Sequence, residues 1–118
     1  MRVFVAGPYT NPDPVVNTRK AVEAAERLLA RDPRITPYVP HLSMLWHLIA
    51  PHDLDFWYEF DLRWLEVCDC VLRLPGESNG AAAECAHARE KGIPVFEHDW
   101  EVFAFASGWF EKQEGGEA

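Results

Sequence analysis

The apolar positions of this chain fall into short continuous runs separated by longer stretches with helical spacing. Arg2 to Ala6 (RVFVA) is a β-branched and aromatic run closed by Gly7-Pro8-Tyr9-Thr10, which predicts a buried first strand and its turn. Asn11-Pro12-Asp13-Pro14 then reads as a helix start, an Asx cap with proline at an early helical position. From Val15 to Ala30 the apolar residues Val15, Val16, Ala21, Val22, Ala25, Leu28 and Leu29 recur at helical spacing, and Asp32-Pro33 ends the element. Ile35 to Val39 (ITPYV) is a second strand, placed at a sheet edge by Pro37 and Pro40 because proline cannot donate to a central ladder.

The same alternation continues to the C-terminus. A short helix from Ser43 to Ala50 is broken by Pro51, and Asp53 can cap a further helix through about Glu66, with Trp57, Phe60, Trp64 and Leu65 on its inner face. Asp69 to Leu74 is the third strand, Asn79 to Lys91 a helix closed by Gly92, and Ile93 to Phe96 the fourth strand. Asp99 can cap a last helix from Trp100 to about Lys112, with a polar tail, about 113–118, that frays. Strands alternating with helices at this spacing predict an α/β fold. The expected form is a single doubly wound, flavodoxin-like parallel sheet of four to five strands, in the order 2-1-3-4, with helices on both faces.

Length and charge narrow the function classes. The 118 residues are enough for one small domain with a real core. The net charge of −8 argues against binding a nucleic acid polymer, which requires a basic face. No apolar run approaches membrane-spanning length and no signal-peptide layout precedes the first strand, so a cytoplasmic protein is expected. Cys68, Cys70 and Cys85 lack the spacing of a metal site and read as buried reduced thiols. His41, His47 and His52 match neither H-x3-H nor HExxH, so neither a metal nor a cofactor is called for.

The chemistry concentrates where strands one and three end. In a 2-1-3-4 order these strands are neighbours at the switch point, so Gly7-Pro8-Tyr9-Thr10 and Gly76-Glu77-Ser78-Asn79-Gly80 face each other across one crevice. The turn into the alanine-rich helix offers backbone N–H groups to an anion. Glu84 lies one turn inside that helix among Ala81, Ala82, Ala83 and Ala86, small residues that allow close approach. The helix dipole is expected to keep it ionised, as suits a nucleophile, although a solvated helix acid fits the same position. Asp61 is read as solvated and Asp69 as a structural acid at the amino end of its strand. Arg63 and Arg73 could each meet an anion, with Arg73 expected to pair with an acid. The segment holding His41 and Trp46 is expected to cover the crevice with aromatic faces suited to a planar base.

Taken together, MRVFVAGPYT, the D-x-x-W-L of Asp61 to Leu65, Asp69 opening a strand and the S-x-G-x-x-x-E over Ser78, Gly80 and Glu84 resemble the nucleoside 2-deoxyribosyltransferase family. That superfamily also holds the 2'-deoxynucleoside 5'-phosphate N-hydrolases. The chain is most similar to its small branch with GPYT near the start and PHLSxLW in the middle. The resemblance implies a retaining displacement at the anomeric carbon of a nucleoside or its 5'-monophosphate. It makes Glu84 the nucleophile and Asp61 the residue that contacts and helps protonate the leaving base. It gives the position of Ser78 to the sugar or 5'-phosphate, and Gly7, Pro8, Asn79 and Gly80 of the facing turns, with His41 and Trp46 of the covering segment, complete the expected substrate-binding set.

The family places a tyrosine on the first strand, where its hydroxyl orients the nucleophile; the matching residue here is Phe4, and Tyr9 is the proposed substitute. Family sites are completed across a subunit interface, and the apolar last helix (Trp100, Phe103, Phe105, Trp109, Phe110) fits a homo-oligomer, a dimer or higher. Two other readings remain open: a non-catalytic nucleotide-binding module on the same fold, and a metal-dependent hydrolase using the His41–His52 segment.

Overall fold

The first apolar run forms β1 (Arg2–Ala6), whose last four residues are buried, the signature of a strand covered on both faces. In the computed structural model, which describes residues 1–115, β1 is followed by α1 (Pro14–Arg31) and the edge strand β2 (Thr36–Tyr38). A single 3-10 turn, Pro40–Leu42, leads into α2 (Ser43–Ile49) and α3 (Leu54–Leu65). Then come β3 (Cys70–Arg73), α4 (Asn79–Glu90), β4 (Val95–Phe96) and α5 (Asp99–Gly115). All strand pairs are parallel and the sheet order is β2-β1-β3-β4, the doubly wound arrangement expected from the alternation.

Residue parity on the strands separates two cores. Val3, Val5, Cys70 and Leu72 face α1 and α5, where Ala21, Ala24, Leu28, Val102 and Ala106 close the layer. Phe4, Ala6 and Val71 face the other way, against Leu65 of α3 and Ala81, Cys85 and Ala88 of α4. The small residues of α4 let that helix lie close to the sheet, which is what brings Glu84 near the strand ends.

Local capping agrees with the sequence at several ends. Asp13 caps α1 by accepting from the N–H groups of Val15 and Val16, with Pro14 at the first helical position. Asp53 accepts from Phe56 N at 2.8 Å, and Gly92 takes the positive φ of 74° that ends α4. The start of α5 differs. Glu101 reaches back to the N–H groups of Glu97 and His98, both at 3.1 Å, while Asp99 is used instead in a 2.8 Å pair with Arg27 of α1. The helix also runs past the expected Lys112 to Gly115; the remainder of the expected tail lies outside the described residues.

Two helical stripes turn differently from their apolar spacing. In α1 the buried face carries Asn17, Ala21, Ala24, Ala25 and Leu28, leaving Val15, Val16 and Leu29 exposed. Asn17 is drawn inward because its amide donates to the carbonyls of Tyr9 and Asn11, both at 2.9 Å, tying down the turn after β1. In α3 the buried positions are Trp57, Asp61 and Leu65, so a carboxylate occupies the stripe where Phe60 and Trp64 were expected. On α5, Phe103, Phe105, Trp109 and Phe110 pack against the α1 side of the core rather than forming a free face. Exposed apolar side chains gather instead on α2 and the start of α3: Leu45, Leu48, Ile49 and Leu54. Among the described residues no helix is long and apolar enough to cross a membrane.

Candidate active site

The turns after β1 and β3 meet at the carboxyl edge of the sheet around a cavity of about 700 Å³. Gly7, Pro8, Tyr9, Ser78, Asn79 and Gly80 line it together with His41, Asp61 and Glu84. The close approach has a backbone cause. Gly76 adopts φ +115°, and a side chain there would place its Cβ 2.8 Å from Pro8 Cγ, so only glycine lets the two turns touch. Arg73 fastens the same turn: its guanidinium donates to the carbonyls of Leu74 and of Gly76, the latter at 2.7 Å. The arginine expected to pair with an acid therefore holds backbone instead. Arg63 is exposed and does not line the cavity.

Ser78 is the N-cap of α4. Its hydroxyl oxygen accepts from Ala81 N at 3.1 Å, which leaves the N–H groups of Asn79 and Gly80 without intrahelical partners at the cavity wall. Asp69 stands at the opposite end of β3, where Oδ2 accepts from Arg2 N at 2.8 Å, the structural role its position implied. The three cysteines are buried free thiols.

Glu84 and Asp61 are buried side chains, 8% and 9% exposed, on α4 and α3. Burial pushes the Glu84 carboxyl up to about 8; the charge of Asp61 adds to the rise and Arg73 opposes it. Burial likewise lifts Asp61 to about 7, partly countered by a hydrogen bond from Tyr38. The sequence-based expectation that the helix dipole keeps Glu84 ionised is therefore corrected. Removal from water and a second carboxylate outweigh the few tenths of a kcal/mol to about 1 kcal/mol that a helix terminus typically supplies.

Tyr38, which the sequence did not single out, is the tyrosine whose hydroxyl contacts Asp61. It donates to Asp61 Oδ1 at 3.3 Å. In β2 it is the register partner of Phe4. Its ring lies 5.6 Å from that of Phe4 and is stacked 5.6 Å from that of Trp64. Burial, with the Asp61 and Glu84 charges, raises its phenol well above the ordinary value. Tyr9 lines the cavity with its ring 6.0 Å from His41, and burial raises its phenol too.

The histidine segment contributes unequally. His41 Nε2 donates to Pro8 O at 2.9 Å, which makes buried Nδ1 the bare nitrogen; that atom has no partner among the described residues. Burial lowers the pKa of His41, against the pull of the Pro8 and Gly7 carbonyls. His47 Nδ1 accepts from Trp57 Nε1 at 2.9 Å and from His52 N at 3.2 Å, so its ring proton sits on Nε2. His47, His52 and Trp57 line the cavity. Trp46 does not: it packs edge-on against Trp57 and Phe60 and lines a neighbouring apolar groove with Tyr38 and Trp64. Among the described residues no cluster of three or more His, Cys, Asp or Glu side chains is arranged to hold a metal ion.

No protein-family model and no curated protein matches the chain. Two solved structures do. One is a conserved protein from Enterococcus faecalis V583, with a TM-score of 0.65 and 22% identity over 80% of this chain and 60% of that one. The other is a 2-deoxyribosyltransferase from Bacillus psychrosaccharolyticus, with a TM-score of 0.57 and 23% identity over 80% of this chain and 69% of that one. The chain thus spans 60% of the length of the first neighbour. At these identities the likeness establishes the fold alone, a parallel α/β sheet that the chain shares with both neighbours.

Proposed function

We propose that the crevice breaks the N-glycosidic bond of a nucleoside, with Glu84 as nucleophile and Asp61 as the acid that protonates the departing base. The observation that carries this reading is the pair itself: two carboxyls buried at one crevice, both lifted toward neutrality. A Glu84 carboxylate oxygen attacks the anomeric carbon as the bond to the base nitrogen breaks. The electron pair leaves with the base, and Asp61 supplies the proton. The result is a glycosyl ester on Glu84, one hard substitution divided into two easier ones. An acceptor base or a water then attacks the same carbon, and the Asp61 carboxylate takes up the incoming proton.

The scheme needs one proton shared by two groups, and the reactive form is the minority one in which that proton sits on Asp61, because the Glu84 carboxyl is lifted to about 8 and that of Asp61 to about 7. Below about 7 both carboxyls become protonated and the nucleophile is lost; above about 8 both are charged and the acid is lost. Activity is therefore expected to be bell-shaped in pH, with limbs that belong to the pair.

The charge of the crevice favours an uncharged nucleoside over a 5'-monophosphate. Asp55, Asp61, Glu77 and Glu84 line it, and among the described residues no lysine or arginine does. The N–H groups of Asn79 and Gly80 then serve a sugar hydroxyl, with Gly7, Pro8 and Tyr9 closing the other side. His41, His47 and Trp57 form the wall nearest a planar base. Homo-oligomer formation belongs to the same reading. Leu54 is exposed yet lines the crevice, so a second copy covering the α2–α3 apolar side chains would also shield the substrate.

The test is a panel of nucleosides and their 5'-monophosphates, incubated with and without a second base and read for free base by chromatography. Nucleosides should release or exchange base, monophosphates far more slowly, and Glu84→Gln should lower turnover by on the order of 10³-fold or more with the fold intact. Ligand-induced thermal stabilisation without any turnover would instead mark a binding module.

A further inference from the structure

We propose that Tyr38 is a positioning residue for Asp61: its hydroxyl holds Oδ1 and stabilises the carboxylate that forms when Asp61 gives its proton to the leaving base. The inference rests on the nucleoside-cleavage reading above and adds a residue to it. Tyr38 comes from the edge strand, while Asp61 comes from α3 and Glu84 from α4, so the contact ties the sheet to the helical side of the crevice.

The geometry makes the hydroxyl a fixed donor. The ring packs against Phe4, at a 37° tilt, and against Trp64, nearly parallel at 27°. The hydroxyl then meets Asp61 Oδ1 at 3.3 Å, and Oδ2 has no hydrogen-bond partner among the described residues. One oxygen is thus occupied from the sheet side, and the other is left for the substrate.

The chemistry follows from which state is charged. While Asp61 carries its proton, the bond from Tyr38 joins two neutral groups. As the Asp61 O–H breaks and the leaving nitrogen gains the proton, the electron pair stays on Asp61 and the same bond becomes charge-assisted, hence stronger. An interaction that strengthens along the reaction raises kcat, whereas one equal in both states changes only KM. The charged and titratable groups around this contact are Glu84 on α4, Cys68 just before β3 and Arg73 at its end, with His41, His47 and His52 lining the same crevice. Burial first, then the charge of Asp61 and the hydrogen bond to it, keeps Tyr38 protonated, so it acts as a donor and not as an acid.

Tyr38→Phe tests the idea, because it keeps both ring contacts and removes the hydroxyl. Base release from the best nucleoside should fall about tenfold in kcat, with KM changed less than about twofold. The melting temperature should change little. In protein carrying 13C-labelled aspartate carboxyls, with the Asp61 signal assigned by its absence in Asp61→Asn, the titration midpoint of Asp61 should rise. In the Asp61→Asn background, adding Tyr38→Phe should cost nothing further. An equal loss of kcat in both backgrounds, or an unmoved Asp61 midpoint, overturns the proposal. If no nucleoside is cleaved by the wild-type protein, the nucleoside reading fails, and the titration still decides whether Tyr38 governs Asp61.

Discussion

The two faces of the sheet are built from adjacent residues of the same strands, yet they do different work. Toward α1 and α5 the layer is hydrocarbon: Val3, Val5, Leu72 and Leu28 are at or near zero exposure with alanines filling between them. Toward α3 and α4 the layer mixes Phe4, Leu65 and Val71 with the small residues Ala6, Ala81, Cys85 and Ala88, and at its carboxyl edge it holds Asp61 and Glu84 out of water. Burying a carboxyl without an ion-pair partner raises its pKa, which opposes folding whenever the group is charged. One face therefore carries the stability that the other gives up, and the α3–α4 side is where reactivity is to be sought.

Substitutions on either side can break this contrast. The largest stability loss is expected on the hydrocarbon face, where Leu28→Ala should cost about 2–5 kcal/mol in denaturant unfolding while leaving turnover per folded molecule unchanged. Glu84→Gln should do the reverse. The folded-state pKa of Glu84 is raised from 4.5 to about 8, so its neutral form favours folding below the unfolded value, and that contribution is lost as pH rises through about 8. The variant and wild type should thus differ little at pH 4, and the variant should be the more stable at pH 9 by several kcal/mol, at most about 5. Parallel thermal melts across that range would expose a wrong sign.

Smaller effects test how the crevice is framed. Gly76→Ala must accept a positive φ and a contact with Pro8, so a cost of about 1–3 kcal/mol is expected, together with a raised KM as the two turns separate. Ser78→Ala removes the cap of α4 and should lower stability by about 1 kcal/mol. If Ser78→Ala lowered turnover far beyond what its stability loss explains, the serine would be touching substrate as well as capping the helix.

Much of the fold was legible from local rules. The apolar runs located each strand, Pro37 marked β2 as an edge, and Asp13, Asp53 and Gly92 marked helix ends through interactions that span only a few residues. The meeting of the turns after β1 and β3 followed from the strand order. Trp46 shows where this reasoning stops: its neighbour His41 lines the crevice while Trp46 turns away, because α2 orients it toward Trp57 and Phe60. The tautomer of His47 was hidden for the same reason, since the Trp57 and His52 groups that set it come from beyond α2.

By itself the sequence determined the order of elements, the parallel sheet, the caps at Asp13, Asp53 and Gly92 and the nomination of Glu84 and Asp61. Those depend on periodicity, backbone chemistry and motif order, all written along the chain. Only the tertiary structure decided that both acids are buried, with their pKa values raised, and which tyrosine stands beside them. A helix dipole is a local property and pointed to an ionised Glu84. Desolvation depends on everything packed around the group, and it reversed that answer. Tyr38 reaches Asp61 because parallel pairing sets it opposite Phe4, a long-range consequence of register that no local pattern records.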